Sequence, residues 1–137
     1  MDTLTSTTQA VVVCGILEDS CGQIFLARRG IDQTLAGYWE FPGGKTEPGE
    51  SLEAALWREF REELAMEIRV GEEIGRTWIP GNGELQLVAL RAWTDDVAPR
   101  LTVHDRWCWV CPQEARDLDL APADVPLLEF FIAGRST

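Results

Sequence analysis

Positive charge is what this sequence lacks. Lysine and arginine number 12 against 23 aspartate and glutamate residues, a formal net charge of −11 over 137 residues. A protein that neutralises nucleic-acid phosphates needs a basic footprint, so DNA or RNA binding is excluded as the main role. A small polyphosphate is a different case, because a metal ion and a few arginines can offset the charge locally. Long apolar runs are also missing: none approaches the roughly 18 residues of a membrane span. The first ten residues, MDTLTSTTQA, hold neither the basic nor the apolar region of a secretion signal. Four cysteines do not make a disulfide framework in a chain of this size. A cytoplasmic protein without a membrane partner is the expectation.

What is present is an ordinary globular balance, 45% apolar and 26% charged residues, in a length that suits one domain. Residues 1–9 read as a flexible segment and residues 10–134 as a single domain. The apolar run over 9–17 reads as a buried strand, 18–22 as a turn and 23–27 as a second strand. A loop follows from 30 to 37, then a short extended piece over 39–44 that ends in glycines. Residues 51–65 read as a helix with Ser51 as its N-cap. An extended stretch over 68–79 leads to a turn at 80–83. The strand over 85–93 alternates, with Leu85, Leu87, Ala89 and Arg91 on one side and Gln86, Val88, Leu90 and Ala92 on the other. A strand over 106–110, a helical turn over 112–116 and a last helix over about 124–133 complete the chain. Strands mixed with two or three helices imply an α/β sandwich around a mixed β-sheet.

Residues 43–68 concentrate seven glutamates. With residues about 100° apart on a helix, Leu52, Ala55, Leu56, Phe60 and Leu64 form the apolar stripe. Glu59 falls between Ala55 and Leu56, and Glu62 and Glu63 flank it. A solvated charged face would put these acids opposite the core, where Glu53 and Arg61 belong. Carboxylates gathered beside a packed stripe repel one another and are costly to desolvate. Divalent cations relieve that, and hard oxygen ligands select Mg²⁺ or Mn²⁺ over zinc. Glu59, Glu62 and Glu63 lie within one turn of each other and can converge on a metal cluster. Glycines at 43 and 44 allow close approach of backbone to metal or phosphate. Glu50 can brace the loop or pair with Arg58.

The spacing Gly44, five residues, Glu50, seven residues, then Arg58-Glu59-Phe60-Arg61-Glu62-Glu63-Leu64-Ala65-Met66 resembles the signature of the Nudix hydrolases, G-x5-E-x7-R-E-U-x-E-E-x-G-U, where U is a bulky aliphatic residue. Phe60 departs mildly from it. Ala65 stands where the signature has glycine, whose left-handed conformation ends the helix; alanine there costs roughly 1 kcal/mol. LARR at 26–29, GYWEFPGGK at 37–45 and LAPADVPLLE at 120–129 extend the resemblance, to the MutT-like branch, over nearly residues 10–134.

The resemblance implies the Nudix α/β/α fold and hydrolysis of a nucleoside triphosphate to monophosphate and pyrophosphate. It points to cytidine or modified pyrimidine nucleotides, with oxidised purines such as 8-oxo-dGTP as the alternative. A binding module without catalysis is the alternative from another class, against which the intact acids speak. Glu59, Glu62 and Glu63 are then metal ligands and catalytic groups with Arg58, and the Gly44 carbonyl is a further ligand. Arg29 is the phosphate contact, and Lys45 joins it among the substrate-binding residues. Arg28 and Arg29 end a strand and so point to opposite faces, one of them free to be only a solubilising charge.

Asp105 is either a further metal ligand or a solvated loop acid, and His104 beside it reads as an exposed loop residue. Asp124 can cap the last helix or read the base edge, where an ionised carboxylate accepts from cytosine N4. Trp39, Phe41 and Trp78 can stack on a base or serve the core. Cys108 and Cys111 form no metal or redox site, because residues three apart in a strand face opposite sides. A monomer or homodimer is expected.

Overall fold

The computed structural model describes residues 11–81, 85–96 and 98–135. Among them the chain runs β1 (Val11–Glu18), β2 (Ile24–Arg29), β3 (Trp39–Glu40), β4 (Gly43–Lys45), α1 (Leu52–Leu64), β5 (Arg69–Trp78), β6 (Gln86–Trp93), β7 (His104–Val110), α2 (Pro112–Ala115) and α3 (Asp124–Arg135). The elements match the sequence reading closely, with two differences. The piece over 39–44 is two strands broken at Phe41 and Pro42, and β7 begins at His104 rather than 106. The turn expected at 80–83 and the flexible segment at 1–9 lie wholly or partly outside the described residues.

The sheet is mixed, in the order β3-β2-β1-β6-β5, with β4 also on β1 and β7 also on β2. β1 runs parallel to β6 from Val11 opposite Gln86 to Glu18 opposite Trp93, and the other pairings are antiparallel. As the central strand, β1 is buried on both sides, which explains its nearly unbroken apolar run. Val13 and Leu17 face one core with Ala55, Leu56, Phe60 and Leu64 of α1. Cys14 and Ile16 face a second core with Leu127, Leu128 and Phe131 of α3. The alternation read in β6 holds, with Val88, Leu90 and Ala92 in the first core and Leu87 and Ala89 in the second.

Helix α1 starts where Ser51 Oγ accepts the Ala54 N–H at 3.1 Å. It stops at Ala65, which is left-handed at φ 53° and ψ 39°, while the Met66 N–H returns to the Phe60 carbonyl. The glycine-type stop is therefore made by alanine. Gly15 of β1 faces this helix, and a Cβ there would sit 3.0 Å from the Phe60 ring. Strand β4 approaches β1 so closely at Gly43 that a Cβ would fall 1.9 Å from the Val13 oxygen. These two contacts bring α1 and the glycine strand together at one end of the sheet.

Candidate active site

Arg58 organises the acidic end of the cleft. Its Nε and Nη2 donate to the two oxygens of Glu50 at 2.7 and 2.9 Å, and Nη2 also donates to the Lys45 carbonyl at 3.1 Å. Its Nη1 donates to Glu59 at 2.9 Å and Glu62 at 3.2 Å. Glu50 also accepts the Glu47 N–H at 2.9 Å, so it both braces the loop and pairs with Arg58. The Arg58 fork and this N–H together hold the Glu50 carboxyl down at about 2.

Glu59 lies against Gly44. A Cβ at residue 44 would stand 2.5 Å from the Glu59 carboxylate, so the missing side chain is the space that lets strand and helix acid meet. Glu63, one turn further along, is partly buried within hydrogen-bond reach of Glu59. Burial first, then the Glu59 charge, push its carboxyl well above the usual range. Two acids this close tolerate each other only with a proton or positive charge between them. Their oxygens and the adjoining main chain fit a hard divalent cation. Glu62 is more exposed than its angle beside the stripe implies: its side chain is 60% exposed, and it shares Arg58 Nη1 with Glu59. No group of three acidic, histidine or cysteine side chains is gathered for a metal among the described residues.

A cavity of about 570 Å³ runs from this end past Gly44, Lys45 and Glu63 to Phe41 and Asp124. Arg29 lines it, whereas Arg28 turns away and forms a two-pronged pair with Asp105 at 2.8 and 3.0 Å, which confirms that the two arginines diverge. Asp105 is therefore no part of the acidic cluster. The β2–β7 ladder pairs Arg28 with Arg106 and then Arg29 with His104, so Asp105 is the extra residue of a bulge and is re-aimed toward Arg28.

His104 is also corrected. It is 6% exposed, not a surface loop residue, and its Nε2 lies 2.8 Å from Glu40 Oε2. Glu40 accepts from Arg29 through its other oxygen at 2.7 Å. Glu40 and His104 are the cavity residues that sequence reasoning missed. An acid between Trp39 and Phe41 in an extended segment was the available signal for Glu40.

Asp124 opens α3 but does not cap it. It is 4% exposed, and its Oδ2 accepts the Phe41 N–H at 2.8 Å across 83 residues of chain. Burial raises its carboxyl to about 8, although the Phe41 N–H works the other way. Burial thus favours the protonated form over the carboxylate assumed from sequence. Phe41 lines the cavity, Trp39 packs against the second core, and Trp78 is 55% exposed outside the cavity. Cys108 and Cys111 are free thiols, and Cys108 packs against the second core.

Comparison with known proteins bears on the same residues. The NUDIX domain model matches residues 7–131. The chain is 44% identical over 128 residues to the CTP pyrophosphohydrolase of Escherichia coli K12, covering 91% of this chain and 93% of that one. It is 40% identical over 117 residues to a Mycobacterium tuberculosis protein with the provisional name 8-oxo-dGTP diphosphatase 2, covering 83% and 82%. The solution structure of the E. coli ORF135 protein aligns with a TM-score of 0.78 at 40% identity, over 96% of this chain and 94% of that one. With the domain matched over nearly its whole length, the chain belongs to the Nudix hydrolases.

Proposed function

We propose that the protein hydrolyses nucleoside triphosphates to monophosphate and pyrophosphate with Mg²⁺ or Mn²⁺, and that cytidine nucleotides are its preferred substrates. One observation carries the reading: one cavity joins Glu63 of α1 and the adjoining Gly44 to a buried acid and aromatic pair at Asp124 and Phe41. Family membership supports the use of a divalent metal ion. A CTP pyrophosphohydrolase at 44% identity supports the substrate.

The roles rest on the family signature together with the cavity geometry. Glu59, Glu63 and the Gly44 carbonyl would hold the metal, with Glu62 as a further acid from the same helix. A bound divalent ion lowers the pKa of a water and offsets charge on the phosphate oxygens. Arg58 keeps Glu59 and Glu62 oriented through Nη1 while Glu50 fixes its other edge. Burial and the Glu59 charge favour a proton on Glu63, and a bound cation would favour its ionised form. Arg29 and Lys45 take phosphate oxygens, and Asp105 is left to its pairing with Arg28.

At the other end, Asp124 accepts the Phe41 N–H at Oδ2 and lines the cavity, which leaves its second oxygen for the base. As a neutral acid that oxygen carries a donor, which suits cytosine N3. The same donor suits a purine carbonyl. That observation, with the M. tuberculosis relative, favours oxidised purine deoxynucleotides as the second reading. Phe41 supplies an apolar ring beside the base. The remaining readings are a single domain over 10–134 acting as monomer or homodimer, in the cytoplasm and without nucleic acid. No helix among the described residues is long and apolar enough to cross a membrane.

The position of the cut tests the reaction. CTP with Mg²⁺ should give CMP and pyrophosphate. Release of orthophosphate and CDP would exclude the proposed chemistry.

A further inference from the structure

We propose that His104 is a positioning residue for the phosphate-binding arginine and acts through Glu40. The inference rests on the reading above, in which Arg29 contacts the triphosphate. Three elements contribute: His104 opens β7, Glu40 ends β3 and Arg29 ends β2, and all three line the cavity. His104 Nε2 lies 2.8 Å from Glu40 Oε2, and Arg29 Nη1 donates to Glu40 Oε1 at 2.7 Å. A carboxylate has no hydrogen to give, so the imidazole carries its hydrogen on Nε2 and donates. Each oxygen of Glu40 then has its own donor, and rotation of the carboxylate forfeits both. Thr34 holds the far edge of Arg29, its carbonyl accepting from Nε and its hydroxyl from Nη2. One N–H on each terminal nitrogen of Arg29 is left to face a ligand.

The ring of His104 is not explained by packing. Its side chain is 1% exposed, and Nδ1 is buried without a hydrogen-bond partner. A buried unpaired nitrogen bears its full desolvation penalty. An apolar side chain would fill the space without that penalty, so the imidazole is accounted for by its contact with Glu40. The bulge makes the contact possible. Without the extra residue, Asp105 would stand opposite Arg29 and bring a second carboxylate against Glu40. The shift sets His104 there instead, as a donor.

Three readouts on the full chain test this. The protein has one histidine, so ¹⁵N NMR of the labelled ring reports a single tautomer without assignment. The hydrogen should be on Nε2; a ring protonated on Nδ1 alone would overturn the proposal. His104→Gln puts an amide nitrogen near the reach of Nε2, whereas His104→Asn stops at the reach of Nδ1, short of Glu40. His104→Asn should raise both KM for CTP and Kd for inorganic tripolyphosphate roughly tenfold, the loss of one hydrogen bond to a charged group. Its kcat should change less than about threefold, because Arg29 is asked for binding rather than chemistry. His104→Gln should stay close to wild type in all three constants. Equal losses in both variants, or none in either, would overturn the proposal and leave the enzyme reading intact. A wild type that neither turns over CTP nor binds tripolyphosphate would overturn both.

Discussion

Asp124 Oδ2 accepts the Phe41 N–H at 2.8 Å and ties the head of α3 to the corner between β3 and β4. The corner amide sits between two short strands, and the acid that satisfies it is itself almost wholly enclosed. The same residue therefore locks two elements together and ends at the floor of the cavity. Its enclosure is what holds its carboxyl near 8.

A stability profile follows from that value. The folded protein keeps a proton on Asp124 that the unfolded chain releases near pH 4. Stability from this group is thus fullest below pH 4 and is lost as pH rises to about 8, then levels off. Asp124→Asn keeps an acceptor for the Phe41 N–H and has no proton to lose. Its Tm relative to wild type should climb between pH 4 and pH 8, by an amount on the order of a few kcal/mol in stability. Glu63 shifts in the same direction but is common to both proteins and cancels. A Tm difference independent of pH would show that Asp124 is ionised throughout.

Ala65→Gly should raise stability by roughly 1 kcal/mol, because alanine bears the steric cost of the left-handed region and glycine does not. Residue 65 is exposed, with φ 53°, so no packing is lost. A thermal melt checks it. A lower Tm for the glycine variant would contradict the observed helix stop.

Glu62→Gln separates ligand from structure. The side chain is 60% exposed, and its one described partner is Arg58, so the fold should be unaffected. Turnover at saturating Mg²⁺ should nevertheless fall roughly a hundredfold or more, as expected when charge is removed from a metal site. Glu53→Gln, on the exposed first turn of the same helix, should change nothing. Unchanged kcat in Glu62→Gln would remove Glu62 from the site.

The legible part of this protein is local. Ser51, the apolar stripe of α1 and the spacing of Glu50, Arg58 and Glu59 all lie within residues 50–64, and they form as the helix period dictates. Even the alanine stop conforms, since a local signal decides it. The illegible part depends on partners far along the chain. His104 meets Glu40 across 64 residues, and Asp124 meets Phe41 across 83. Asp105 misleads because one bulged residue changes which side chain stands opposite Arg29, and period-2 reasoning has no means to place a bulge. Glu62 is beside the stripe by angle, yet its side chain is mostly exposed where it meets Arg58, a rotamer choice that helix geometry leaves open.

Substrate choice is the central claim, and one ratio tests it: kcat/KM for CTP and dCTP against UTP, dTTP and 8-oxo-dGTP, measured with Mg²⁺ on wild type, Asp124→Asn and Asp124→Ala. A buried group that pairs with the base rejects analogues that leave it unpaired. Wild type should favour the cytosine nucleotides over the other pyrimidines by more than about tenfold; Asp124→Asn, whose amide keeps an acceptor for Phe41 and a donor for the base, should retain that ratio, and Asp124→Ala should shrink it. Preference for 8-oxo-dGTP over every pyrimidine would contradict the cytidine assignment and transfer the site, with its metal chemistry unchanged, to oxidised purines.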